Sequence, residues 1–387
     1  MRFPTAWTRF GRARLVALES GLALLVAGLA LHDRRGWALA AAGTLVLAGA
    51  LLRHRGAFAD RRLLGRLRDD AFAPAAPASP ASPASGEEGL GLAHTLLPTL
   101  DVTEFADRNL PADAPGLGVL SDGRGCAAVL AFPAGTLPGL PAALVREWLD
   151  TDPARPAAAQ LVVEQFGLPP WDLQYGYRPT VAYRQLPAGP RPVAVRSWLV
   201  LRCEGFGTPD AAERRGGGLA GTRAATAAAT ARVRARLASA GAPTTPLSAP
   251  ELRDLLRGTG DAAGEGRTLR TSWAGIDFTH CSVAAPVATQ DEWSRLLNGL
   301  AGCAAERVVA AATLTRDGSA LRVLSAVRVV SMMAQHAAAE RERLLRAGVL
   351  PDTPTDQRAG LLATLPVAHP FRSLVETTGI GSPGAPR

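Results

Sequence analysis

Two apolar runs separated by five residues open the chain, and no other feature narrows its possible folds as much. Residues 15–31 are apolar but for Glu19 and Ser20, and residues 37–52 carry no charge at all. At about 1.5 Å per residue each run reaches roughly 25 Å, slightly short of a hydrocarbon core of about 30 Å. Flanking arginines and modest bilayer thinning can make up such a deficit. The pattern predicts a two-helix transmembrane hairpin. A buried hairpin in a soluble protein is the other reading, and the arginines crowding both ends count against it. A cleaved signal peptide is disfavoured by the second run following so closely.

Charge separates this region from the rest. The 387 residues hold 42 basic and 34 acidic side chains, a formal charge of +8, and every basic one is arginine, because lysine is absent. Residues 1–68 contain twelve arginines and three acids, a net of +9, whereas the remainder holds thirty and thirty-one. The basicity therefore belongs to the apolar region, which argues against nucleic acid as a partner and for the lipid bilayer. Four arginines precede the first run and six follow the second, while the connecting loop has only Arg34 and Arg35 beside Asp33. The positive-inside bias predicts a two-pass protein of the plasma (inner) membrane with both termini cytoplasmic.

The expected organisation is a basic cytoplasmic N-terminus at 1–14, the hairpin at 15–52 with spans 15–31 and 37–52, and a basic juxtamembrane segment at 53–72. A Pro/Ala/Ser linker at 73–89 follows. An α+β (mixed α/β) cytoplasmic domain over 90–377 precedes a disordered tail at 378–387. Within the domain, Ser121-Asp122-Gly123-Arg124-Gly125 and Asp317-Gly318 read as hairpin turns between apolar strands. Ser248 with Glu251 and Thr289 with Glu292 form two capping boxes that mark helix starts. Long Ala/Arg-rich and amphipathic stretches alternate with these strands, which suggests an antiparallel or mixed sheet covered by helices. Two hairpins and two long helices hint at a duplication, although no repeat of residue identity is visible.

The missing lysine excludes a Walker P-loop, a protein kinase and a Schiff-base enzyme. Cys126, Cys203, Cys281 and Cys303 show no C-x-x-C spacing and read as reduced, buried thiols. His280 and Cys281 are neighbours on a predicted strand, so they face opposite sides and do not form a nucleophile pair. Asp150-Thr151-Asp152 is a D-x-D triplet of the kind that holds a divalent metal against a nucleotide-sugar diphosphate. Its place between an amphipathic helix and Pro153 fits a turn instead. Arg214-Arg215-Gly216-Gly217-Gly218 can cradle a phosphate at a helix start, or simply kink the chain. No catalytic, cofactor-binding or metal-binding residue emerges. The candidates for partner contact are Glu19, a carboxylate inside the first run, and Trp171, Tyr175 and Tyr177 in a proline-rich stretch that holds all three tyrosines.

The whole layout resembles EccE, a membrane subunit of the actinobacterial type VII (ESX) secretion system. The two N-terminal runs carry this likeness, with Val102-Thr103, Asp107-Arg108-Asn109 and residues 117–125 running into a strand. Arg214 to Gly218 before an Ala/Arg helix and Trp273-x-Gly275-Ile276-Asp277-Phe278-Thr279-His280 extend it. The resemblance implies a non-enzymatic structural subunit without cofactors. Its partners would be the EccB, EccC and EccD subunits of a hetero-oligomeric complex, EccC being the P-loop ATPase. The proline-rich linker departs from the family pattern. A membrane-anchored glycosyltransferase-like enzyme using Asp150 and Asp152 is the alternative.

Overall fold

The computed structural model describes residues 12–31, 33–51, 53–54, 57–58, 89–106, 116–167, 194–205, 207–317, 320–353 and 355–369. The chain divides into two units, Met1–Phe72 and Ala73–Arg387. The expected linker, most of the juxtamembrane segment, the tail, and Trp171, Tyr175 and Tyr177 lie outside the described residues.

In the smaller unit, α1 (Arg12–Leu31) and α2 (Arg34–Leu51) form an antiparallel hairpin, followed by the paired two-residue strands β1 (Arg53–His54) and β2 (Ala57–Phe58). Asp33 sets the turn: its Oδ1 accepts the Gly36 N–H at 2.6 Å and its carbonyl accepts the Trp37 N–H. Gly21, Gly28, Gly36, Ala40 and Gly43 line the seam and are buried. A Cβ on Gly28 would stand 2.4 Å from the Ala40 nitrogen, and one on Gly43 would stand 2.6 Å from the Leu25 nitrogen. The backbones therefore touch, and the large side chains turn outward: Leu22, Val26, Leu29, Trp37 and Leu45 are all more than half exposed.

The helices exist, but the transmembrane hairpin does not. No helix among the described residues is long and apolar enough to cross a membrane. The expected two-pass topology is corrected accordingly. The physical reason lies in the charges that the helices incorporate. Arg12, Arg14 and Glu19 fall inside α1 and leave only the stretch 20–31 uncharged, about 18 Å of helix against a core of about 30 Å. Arg34 and Arg35 form the first turn of α2 and leave 36–51 uncharged, about 24 Å of helix.

The larger unit is built on an antiparallel sheet of eleven strands. Its elements are α3 (Leu92–Leu96), β3 (Asp101–Phe105), β4 (Leu117–Ser121), β5 (Gly125–Ala131), α4 (Ala142–Thr151), β6 (Ala158–Phe166), β7 (Ala194–Glu204), α5 (Pro209–Glu213) and α6 (Gly218–Ser239). Then come β8 (Thr245–Pro246), α7 (Ala249–Thr259), β9 (Gly266–Thr268), β10 (Trp273–Gly275), β11 (Thr279–Ala284) and α8 (Gln290–Leu300). β12 (Arg307–Asp317), β13 (Ala320–Ser331), α9 (Ala334–Arg346) and α10 (Gln357–Thr364) complete it.

The strand order is β3-β4-β5-β7-β6-β12-β13-β11-β10-β9, with β8 beside β5. Each half reads first-second-third-fifth-fourth, and each has a helix between its third and fourth strands and a longer one after its fifth. The unit is thus a duplicated β-β-β-α-β-β-α motif, joined by antiparallel pairing of β6 and β12 about Val162↔Ala311. An antiparallel seam between like strands relates the halves by a pseudo-two-fold axis normal to the sheet.

Because helices cover both faces, the central strands are buried on both sides and read as continuous apolar runs. One core gathers Trp148 of α4, Trp293 of α8 and the Ala/Val face of α6 against Leu161, Leu199 and Val308. The other gathers leucines of α3, α7 and α10 with Trp198 and Trp273 against Val162, Val200 and Ala311. Both capping boxes start their helices as the sequence predicts, Ser248 and Glu251 at α7, Thr289 and Glu292 at α8. Gly216, Gly217 and Gly218 all take positive φ and separate α5 from α6.

Candidate functional site

The D-x-D triplet is not arranged as a metal site. Asp150 and Thr151 form the last residues of α4, and Asp152 caps its end. Asp152 is buried and forks onto Arg232 of α6 at 2.7 and 2.8 Å while accepting the Ala154 N–H. Asp150 meets Arg316 of β12. Both carboxylates are thus committed to guanidinium groups that fasten α4 to α6 and to the sheet, and the glycosyltransferase alternative loses its metal ligands. Among the described residues no three His, Cys, Asp or Glu side chains converge on a metal position.

Polar chemistry instead concentrates under α7 and α10, on one face of the sheet, at two places. At the first, Arg202 of β7 is fully buried and its Nη2 donates to Asp122 Oδ2 at 2.6 Å. Burial alone would raise the Asp122 pKa, but the Arg202 charge and the N–H groups of Gly125 and Arg124 outweigh it and hold the group below the usual carboxylate range. His369 lies beside this pair, its pKa pushed down to about 3 by burial and by Arg202.

At the second place, Glu164 of β6, Arg307 of β12, Arg328 of β13, His280 of β11 and Asp261 meet beneath the C-terminal end of α7. The carbonyls of Gly258 and Gly260 accept from Arg307, and that of Thr259 accepts from Arg328. Two cations therefore face the negative end of a helix dipole and satisfy carbonyls left over by the helix. Glu164, with no exposed side-chain surface, takes two hydrogen bonds from Arg196 at 3.1 and 2.7 Å. Asp261 accepts the N–H groups of Ala263 and Phe278 and lies 3.9 Å from His280 Nε2. Burial pushes His280 down to about 4, so its ring is neutral at pH 7.

The remaining candidates are dispersed. A cleft of about 400 Å³ near the β3 edge is lined by His94, Asp101, Arg253, Asp254 and Arg257, where opposite charges balance. Arg253 already donates to the Val102 carbonyl and Arg257 to that of Gly89. Glu19 is exposed on α1. All four cysteines are free and buried. Burial pushes the thiols of Cys126, Cys203 and Cys281 up to about 11, 12 and 11, which suppresses the reactive thiolate. Sequence reasoning missed Arg202, Arg307, Arg328 and Glu164. The one signal available was a charge or amide interrupting otherwise apolar strands, as in Leu161-Val162-Val163-Glu164.

Residues 192–287, from the start of β7 through β11, match the family model described as "Putative type VII ESX secretion system translocon, EccE". The resemblance to EccE is shown over this segment. No curated protein matches the chain. The EccE segment contains α6 and α7, with Arg202 of the first charged cluster and Asp261 and His280 of the second. The match supports a type VII secretion component.

Proposed function

We propose that this chain is a non-enzymatic structural subunit of a membrane-associated type VII protein secretion complex. The observation that carries the reading is the EccE match over 192–287. The disposition of charge supports it: Arg202 pairs with Asp122 and Arg232 with Asp152, and Arg307 and Arg328 meet the carbonyls that end α7, a use of charge that builds structure. In the smaller unit, the exposed Leu22, Val26, Leu29, Trp37 and Leu45 form the surface through which the chain attaches to its apolar surroundings. Attachment is by lateral packing, without crossing the bilayer. The partners in this reading are the other type VII membrane subunits, including the P-loop ATPase subunit. The test is to purify the tagged full chain in mild detergent. Co-purification of that ATPase is expected, and its reproducible absence from complexes that remain intact would overturn the assignment.

A further inference from the structure

We propose that the free edge of β9 docks an extended segment of a partner protein as an added antiparallel strand, with an acidic residue opposite Arg267 and an apolar one opposite Leu269. β9 ends the sheet on the side of the second repeat. The Leu269 N–H donates to the Ser272 carbonyl, so Leu269 and Arg267 use their backbone groups toward β10. Gly266 and Thr268, which alternate with them, turn theirs outward, where no group of the described residues meets them. Residues 265–270 are exposed without a break.

The edge is short but held in shape. Thr95 Oγ1 donates to the Gly264 carbonyl at 2.6 Å, and the Leu269–Ser272 turn fixes the other end. The Trp273 indole lies so near Gly266 that a Cβ there would stand 2.3 Å away. An added strand therefore meets groups already in place. The first repeat treats its own edge differently. There Arg253 donates to the Val102 carbonyl at 2.7 Å, His94 donates to that of Leu100 at 2.7 Å, and Arg223 pairs with Asp101. Side chains blunt β3 in this way, and β9 has no such cover among the described residues.

Charge selects the occupant. Arg267 and Arg270 make no ion pair among the described residues, and Leu269 is 41% exposed on the same side of the strand as Arg267. Directly across a ladder, opposite charges attract and like charges repel. A second copy is disfavoured on that ground: pairing Gly266 of one β9 with Thr268 of another sets Arg267 against Arg267. A segment reading apolar-x-acidic in its own direction matches both side chains.

Fluorescein-labelled Thr-Val-Thr-Glu-Thr-Val-Thr, and the same peptide with Arg in place of Glu, test this by anisotropy against the purified full chain. The Glu peptide should bind about tenfold more tightly than the Arg peptide, and Arg267→Glu should reverse the order. The bound Glu peptide should slow hydrogen exchange at Gly266 and Thr268. Thr268→Pro removes an outward N–H without touching the β9–β10 ladder and should abolish binding. Equal binding of the two peptides, binding that survives Thr268→Pro, or no binding at millimolar peptide would overturn the proposal. So would sedimentation showing a dimer that Thr268→Pro dissolves. Should Thr268→Pro not fold, the Arg267→Glu reversal alone decides.

Discussion

Single residues decide this fold where charge is buried. Removing one partner of a buried ion pair strands the other, at a cost of about 3–5 kcal/mol. Asp122→Ala should lower stability by about that amount in urea titration, because Arg202 then has no counterion at hydrogen-bond distance. Asp152→Ala should cost less, since a third of the Arg232 side chain reaches solvent. Histidine 280 gives a second prediction. An unfolded chain protonates this ring below about pH 6.5, whereas the folded ring stays neutral down to about 4. Its contribution is complete above pH 6.5 and is lost as pH falls through that window, about 3 kcal/mol by pH 4. His369 acts in the same direction. Unfolding measured from pH 7 to 4 should show the loss, and His280→Asn should flatten the slope. None of these pairings was legible in the sequence, because Asp122 and Arg202 lie 80 residues apart and only the strand register brings them together.

At the scale of elements, local signals served well and long-range ones did not. Capping boxes and glycine turns act within four residues, which is why α7, α8 and the β4–β5 turn were predictable. Thr289→Ala should cost about 1 kcal/mol, seen as a lowered unfolding midpoint, by removing the hydroxyl that accepts the Glu292 N–H. The stretch 268–284 holds parts of three strands, because the Leu269–Ser272 and Gly275–Phe278 turns fold it back twice. The α1–α2 hairpin shows the same limit. Its helices follow from the apolar runs, but whether they span a membrane depends on the charges that the ends of the helices incorporate. Gly28→Leu should separate the helices, since even a Cβ would collide with the Ala40 backbone. Cysteine pairs placed across the seam should then crosslink less than in the unaltered hairpin.

The whole molecule has an order of stability set by the sheet. β6 and β12 are paired on both sides and covered on both faces, so they should be the last region to exchange. Hydrogen exchange followed by mass spectrometry should find their amides slowest and those of β3 and β9 fastest. The duplication was only hinted at in the sequence, since strand order is conserved between the halves without residue identity. The EccE-like segment was legible because its turns and helix starts are local.

The seam between β6 and β12 also has a consequence for assembly. Two separate copies of the β-β-β-α-β-β-α motif meeting there would present every surface twice, once on each side of a true axis. Joining them in one chain frees each half to change alone, and this one already has: Arg202 of the first half has Val330 at the matching position of the second. A complex built from such subunits can therefore distinguish left from right at each copy, and two neighbours can bind related surfaces without competing.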